Sequence, residues 1–140
     1  MSELTRFGVS IPSELVKRFD ESIRSRGYRT RSEAIRDMMR EHLVESEWAS
    51  GNQGSVVGTV TIVYDHEVRE LSNTLTGLQH EFHDAIVCTT HIHLDEHNCL
   101  EVIVVKGSSD QVTAIADRLI STRGVKHGKL VCTTTGRSLR

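Results

Sequence analysis

The chain has 140 residues, of which 37% are hydrophobic, 26% charged and only 4% aromatic, and its formal net charge is −2. This is globular composition, sized for one ordinary domain or two small ones, with cores that must rest on Val, Ile and Leu. It excludes a global attraction to nucleic acid or anionic membrane; the short apolar runs exclude a membrane span, and three cysteines without framework spacing exclude a disulfide-stapled secreted domain. No targeting segment is visible, so a cytoplasmic protein is expected.

Arg6 to Ile11 alternates, with Phe7, Val9 and Ile11 on one side and Arg6, Gly8 and Ser10 on the other. That pattern predicts a short half-buried strand. Pro12 suits the first turn of a helix, and Leu15, Val16, Phe19 and Ile23 continue at helical spacing up to Gly27. Thr30-Arg31-Ser32-Glu33 has capping-box spacing, with Thr30 as N-cap and Glu33 reaching back. Ala34, Ile35, Met38, Met39 and Leu43 then mark the stripe of a second helix. Strand, helix, helix in about 50 residues is too little to bury a core alone, so an obligate dimer with its two strands paired is expected.

The small polar stretch from Ala49 to Ser55 reads as a linker, dividing the chain into residues 1–50 and 51–140. The second part predicts a strand over Val56–Tyr64, a helix about Glu67–Phe82, strands over Ala85–Leu94 and Cys99–Lys106, a helix over Asp110–Arg123 and a strand over Val125–Thr134. This βαββαβ order is that of a ferredoxin-like, ACT-like sandwich, so the fold class is α+β. Cys88 and Cys132 fall in apolar strands and are expected in the core.

Two stretches carry chemistry. In the first part, the outer face of the strand presents Arg6, Gly8 and Ser10, and a two-stranded β-ribbon fits the DNA major groove. Arg31 and Ser32 stand at a helix N-terminus, where free backbone N–H groups favour anions. Residues 1–50 carry nine Lys and Arg against nine Asp and Glu, so the element order, not the charge, points to DNA. In the second part, His91 and His93 share one face of a strand, because side chains alternate with period 2. A polar break at Asp95 to Asn98 predicts a hairpin that returns Cys99 beside them. Two imidazoles and a thiolate suit zinc, copper or nickel better than magnesium or calcium. The competing view is a chance histidine pair beside a buried apolar cysteine.

Arg6-Phe7-Gly8-Val9-Ser10-Ile11 together with the stretch from Gly27 to Asp37 resembles a ribbon-helix-helix domain. Gln79-His80-Glu81-Phe82-His83-Asp84 and the stretch from His91 to Cys99 resemble the metal-binding domain of the nickel-responsive repressor family, NikR. The resemblance covers nearly the whole chain. It implies a nickel site made by His91, His93 and Cys99 of one subunit and His80 of a neighbour, square-planar, with one Ni(II) per chain. It also implies that Glu33 and Asp37 help bind a second cation. Gly8 departs from the family, whose members often carry a base-contacting side chain at that position.

The function expected on this basis is that of a homotetrameric nickel-responsive repressor, not an enzyme. It would bind a palindromic double-stranded operator and control nickel uptake genes. The alternatives are a ribbon-helix-helix regulator sensing a small molecule, or a metalloprotein with an incidental histidine cluster. A filled four-ligand site leaves no open position for a substrate, which weighs against metal-assisted catalysis.

Overall fold

The computed structural model describes all residues except 1–2, 51–53, 69 and 140. It divides into two compact units, Met1–Leu43 with Ser138–Arg140, and Val44–Arg137. The first unit holds helix α1 (Ser13–Ser25) and most of helix α2 (Arg31–Ala49). The Pro12 carbonyl accepts from the N–H groups of Leu15 and Val16 and so opens α1. Gly27, at φ +90, makes the left-handed turn between the helices. Thr30 Oγ1 accepts from the Glu33 N–H at 3.2 Å, as the capping box requires. The Glu33 carboxylate reaches back to the Arg29 N–H, at 3.4 Å, one residue earlier than the motif places it.

The strand expected over residues 6–11 is not formed. Residues 3–12 run without a ladder, and Phe7, Val9 and Ile11 are all exposed. A strand exists through the hydrogen bonds of a neighbour, and among the described residues none pairs with this segment. The same unit carries an open apolar groove of about 860 Å³, lined by Val9, Ile11, Phe19, Ile35, Met38 and Leu43 among others.

Helix α2 runs across the division between the two compact units, which falls between Leu43 and Val44. The reason is packing. Val44 is buried, Trp48 lies against the core of the second unit, and its indole N–H donates to the Thr133 carbonyl at 2.9 Å. Residues 51–53 of the expected linker lie outside the described residues.

The second unit continues with β1 (Val56–Asp65), α3 (Leu71–Glu81), β2 (Ile86–His93), β3 (Asn98–Gly107), α4 (Ser109–Ile120) and β4 (Val125–Thr134). All pairings are antiparallel and the sheet order is β2-β3-β1-β4, so the ferredoxin-like topology expected from the sequence is present. On β1, alternate residues Val56, Gly58, Val60, Ile62 and Tyr64 are buried. They meet Leu71 and Leu75 of α3 and Val112, Ile115 and Leu119 of α4 in one core. Ser108 caps α4, its Oγ accepting from the Gln111 N–H. The expectation that Cys88 and Cys132 are core residues fails, since both are exposed. They sit on β2 and β4, the outer strands, where each has a neighbouring strand on one side only.

Candidate metal centre and DNA-facing residues

Register decides which side chains meet. Tyr64 lies opposite Cys99, and Cys99 opposite His93; Ile62 lies opposite Glu101, and Glu101 opposite His91. These two rows share the helix-covered face of the sheet, because directly paired residues point the same way. The hairpin that sets this register is held by Asp95. Its carboxylate accepts from the N–H groups of His97 and Asn98, both at 2.8 Å, and from the Asn98 side chain. It is an Asx-type turn of the kind Asp favours.

These hydrogen bonds hold the Asp95 carboxyl well below its ordinary 3.8, at about 2, the Asn98 side chain contributing most. A depressed folded-state value means that the stabilisation is complete above about pH 4 and is lost as the pH falls toward about 2. Between those two values the wild-type protein should therefore lose more stability than Asp95→Asn, whose amide does not titrate. Urea midpoints at a series of pH values measure this; parallel curves for the two proteins would remove Asp95 from the account of the turn.

Cys99 is fully buried. Burial pushes its thiol above the ordinary value, with the carboxylates of Glu101, Asp65 and Asp95 acting in the same direction. The thiol is thus protonated at neutral pH, and a metal has to displace that proton. Its Sγ lies 3.4 Å from His93 Nδ1 and 3.3 Å from His66 Nδ1. The His91 ring stands edge-on to His93, with centroids 5.1 Å apart.

His91 is oriented from behind. Its Nδ1 is 3.3 Å from the Tyr64 hydroxyl, which donates to the Glu101 carboxylate at 3.2 Å. Burial, then the Glu101 charge, push the Tyr64 phenol well above its usual value, so it keeps its proton. One phenol proton serves one acceptor. With that proton on Glu101, the hydroxyl accepts from His91 Nδ1–H, and Nε2 of His91 is left with a lone pair for a metal. Glu101 is buried, 6% exposed, and its other oxygen accepts from the Gln79 amide at 2.9 Å. The Gln79 carbonyl in turn accepts from Thr89 Oγ1 at 2.9 Å. One carboxylate on β3 therefore ties together β1, β2 and the last turn of α3.

Among the described residues, the ligand atoms of His66, His93 and Cys99 lie within 4.8 Å of one another, as do those of Asp65, Glu67 and His97. His91 and His80 belong to neither group; His80 is exposed on α3, one residue beyond Gln79. Sequence reasoning missed His66. It follows the end of β1, and its N–H donates to the His97 carbonyl at 2.9 Å, which carries the β1–β3 pairing one step past the hairpin. The usable signal was period 2, since Tyr64 and His66 fall on one face if the strand is read two residues further.

Of the residues expected to face DNA, Arg6, Gly8, Ser10 and Ser32 are exposed. A Cβ at Gly8 would meet nothing within 4 Å, so a larger side chain has room there. Arg31 makes a two-point ion pair with Asp20, at 2.8 and 2.7 Å. The Asp37 oxygens accept from Tyr28 and Arg40, while Glu33 closes the helix cap. The carboxylates expected at a second cation site are thus engaged within their own unit.

Residues 57–133 match the family model described as the NikR C-terminal nickel-binding domain. The chain belongs to the NikR family. Residues 5–46 match the ribbon-helix-helix protein family of the copG type. A nickel-responsive regulator of Thermococcus onnurineus is 56% identical over 137 residues, spanning 98% of this chain and 99% of its own length. One from Solibacter usitatus is 56% identical over the whole of both chains. An uncharacterised Thermotoga maritima structure matches 56% of this chain and 98% of its own, with a TM-score of 0.51 at 21% identity, which speaks to the fold alone. NikR proteins are transcription regulators rather than enzymes, and among the described residues no helix is long and apolar enough to cross a membrane.

Proposed function

We propose that this protein is a cytoplasmic, homotetrameric repressor that takes up one Ni(II) per chain and then binds a palindromic operator of nickel uptake genes. The ligands are His91, His93 and Cys99 of one chain and His80 of a neighbour. Residues 1–50 serve the DNA and residues 51–140 the metal, in keeping with the two family matches at 5–46 and 57–133. Arg6, Gly8, Ser10, Arg31 and Ser32 form the DNA face. Pairing of residues 6–11 from two chains would complete the ribbon and cover the apolar groove beneath it.

The buried network around Glu101 carries this reading. It supports a His91 tautomer whose Nε2 would be open for coordination, and through Gln79 it ties the helical turn bearing His80 to the same carboxylate. A ligand at the end of that turn, exposed on its own chain, suits a metal shared between chains. Exposed Ile92, Leu94 and Val131 offer apolar contact area for assembly. Metal that favours one arrangement of the chains favours DNA binding by the same free energy with which DNA favours metal.

Subunit mixing tests the shared site. Full-length His80→Ala and His93→Ala proteins should each bind nickel poorly. In a mixed assembly, the His80→Ala chain supplies His91, His93 and Cys99 while its neighbour supplies His80. Nickel titration should therefore recover intact sites once mass spectrometry shows that subunits have exchanged. Confirmed exchange without recovered sites would mean that His80 does not act across chains.

A further inference from the structure

We infer that Thr89 is a positioning residue for a metal site outside its own chain: through Gln79 it fixes the turn that carries His80 to the neighbour's nickel. The inference rests on the reading of His80 as a ligand shared across chains, and names the residue that aims it.

Gln79 is held at both ends. It lies in the last turn of α3, one residue before His80. Its amide N–H donates to the Glu101 carboxylate on β3, and its carbonyl accepts from the Thr89 hydroxyl on β2, both at 2.9 Å. An ionised carboxylate only accepts, and a hydroxyl can donate, so both contacts select the same amide orientation. Leu78 and Phe82, on either side in the chain, pack against the core and set the depth of the turn. Gln79 adds the polar hold on two strands. His80 itself is exposed, and its contact with His83 uses its carbonyl rather than its ring. The ring is therefore placed by the turn that bears it.

The residue type at position 89 supports this. Thr89 stands opposite Ile103, which is fully buried, and valine would suit such a strand position as well. Packing thus accounts for the shape of Thr89 but not for its hydroxyl. The same chain's His91 does not depend on that hydroxyl. It is held through Tyr64, which donates to the other oxygen of Glu101. Losing the hydroxyl frees Gln79 from β2 and leaves the Tyr64 bond intact. The effect falls on the site to which the chain lends His80, not on the site built from its own His91, His93 and Cys99.

Mixed assemblies of full-length variants provide the test. The His80→Ala chain supplies His91, His93 and Cys99, and the His93→Ala chain supplies His80. Nickel affinity is read from the thiolate charge-transfer band against a competing chelator. Thr89→Val added to the His93→Ala chain should weaken the recovered sites about 2- to 10-fold, the net worth of one hydrogen bond. Thr89→Ser in that chain keeps the hydroxyl and should restore the affinity. Thr89→Val added to the His80→Ala chain should leave it unchanged. A general loss of stability would act in either chain, so the contrast between placements isolates positioning. Unchanged affinity in both placements, an equal loss in both, or a loss that Thr89→Ser does not restore would overturn the inference. A mixture with Thr89 intact that recovers no sites after confirmed exchange would overturn the shared site itself, and this inference with it.

Discussion

Cys99→Ala should abolish tight nickel binding and the nickel–thiolate absorption band together. Cys99 is the one soft ligand in the proposed set. Changes outside the coordination sphere cost about 10–100-fold in metal affinity, and loss of the thiolate itself should exceed that range. The fold should survive, since the change removes one small buried group worth about 1 kcal/mol. Cys88→Ala and Cys132→Ala are the controls. Both cysteines are exposed on outer strands, and neither change should alter the band. A Cys99→Ala protein that still bound nickel with an unchanged spectrum would place the site elsewhere.

Glu101→Ala should weaken nickel binding without touching a ligand. The carboxylate accepts from the Tyr64 hydroxyl and the Gln79 amide, and leaving a buried donor unsatisfied costs about 1–3 kcal/mol. With the acceptor gone, the Tyr64 proton is free to turn to His91 Nδ1, which no longer fixes the tautomer with Nε2 open. Nickel affinity should fall about 10–100-fold, the range for partners behind a ligand. Glu101→Gln keeps the shape and one accepting oxygen, so it should lie between wild type and Glu101→Ala in both urea stability and nickel affinity. Lost stability with unchanged nickel affinity would reduce Glu101 to a structural role.

Sheet topology and strand pairing were legible from period and punctuation. The fourth strand matches its expected bounds, and the Asp95 turn returns Cys99 opposite His93 as the polar break suggested. Helices were read too long. The first of the second unit begins at Leu71 rather than near Glu67, because residues 66–68 and Glu70 are taken up by turns and a bend, with Glu70 in a left-handed conformation. What the sequence could not carry was anything made by a partner strand or by distance along the chain. Residues 6–11 alternate correctly yet form no ladder within one chain. His66 follows Tyr64 with period 2, but its backbone bond to His97, which extends the pairing beyond β1, is made by a residue distant in the chain. Glu101 looked like an ordinary strand residue. Its role follows from register, which puts it between Tyr64 and His91.

On the proposed reading, one nickel per chain switches DNA binding on. Duplexes selected from a random pool by the nickel-loaded protein, then titrated at fixed salt with and without one equivalent of Ni(II) per chain, test it most directly. The selected sequences should be palindromic with two separated half-sites, mirroring protein two-fold symmetry. Nickel should raise affinity about 5- to 150-fold, the usual span of allosteric coupling, and should give no gain in Cys99→Ala. Selected duplexes bound equally well with and without nickel would contradict it.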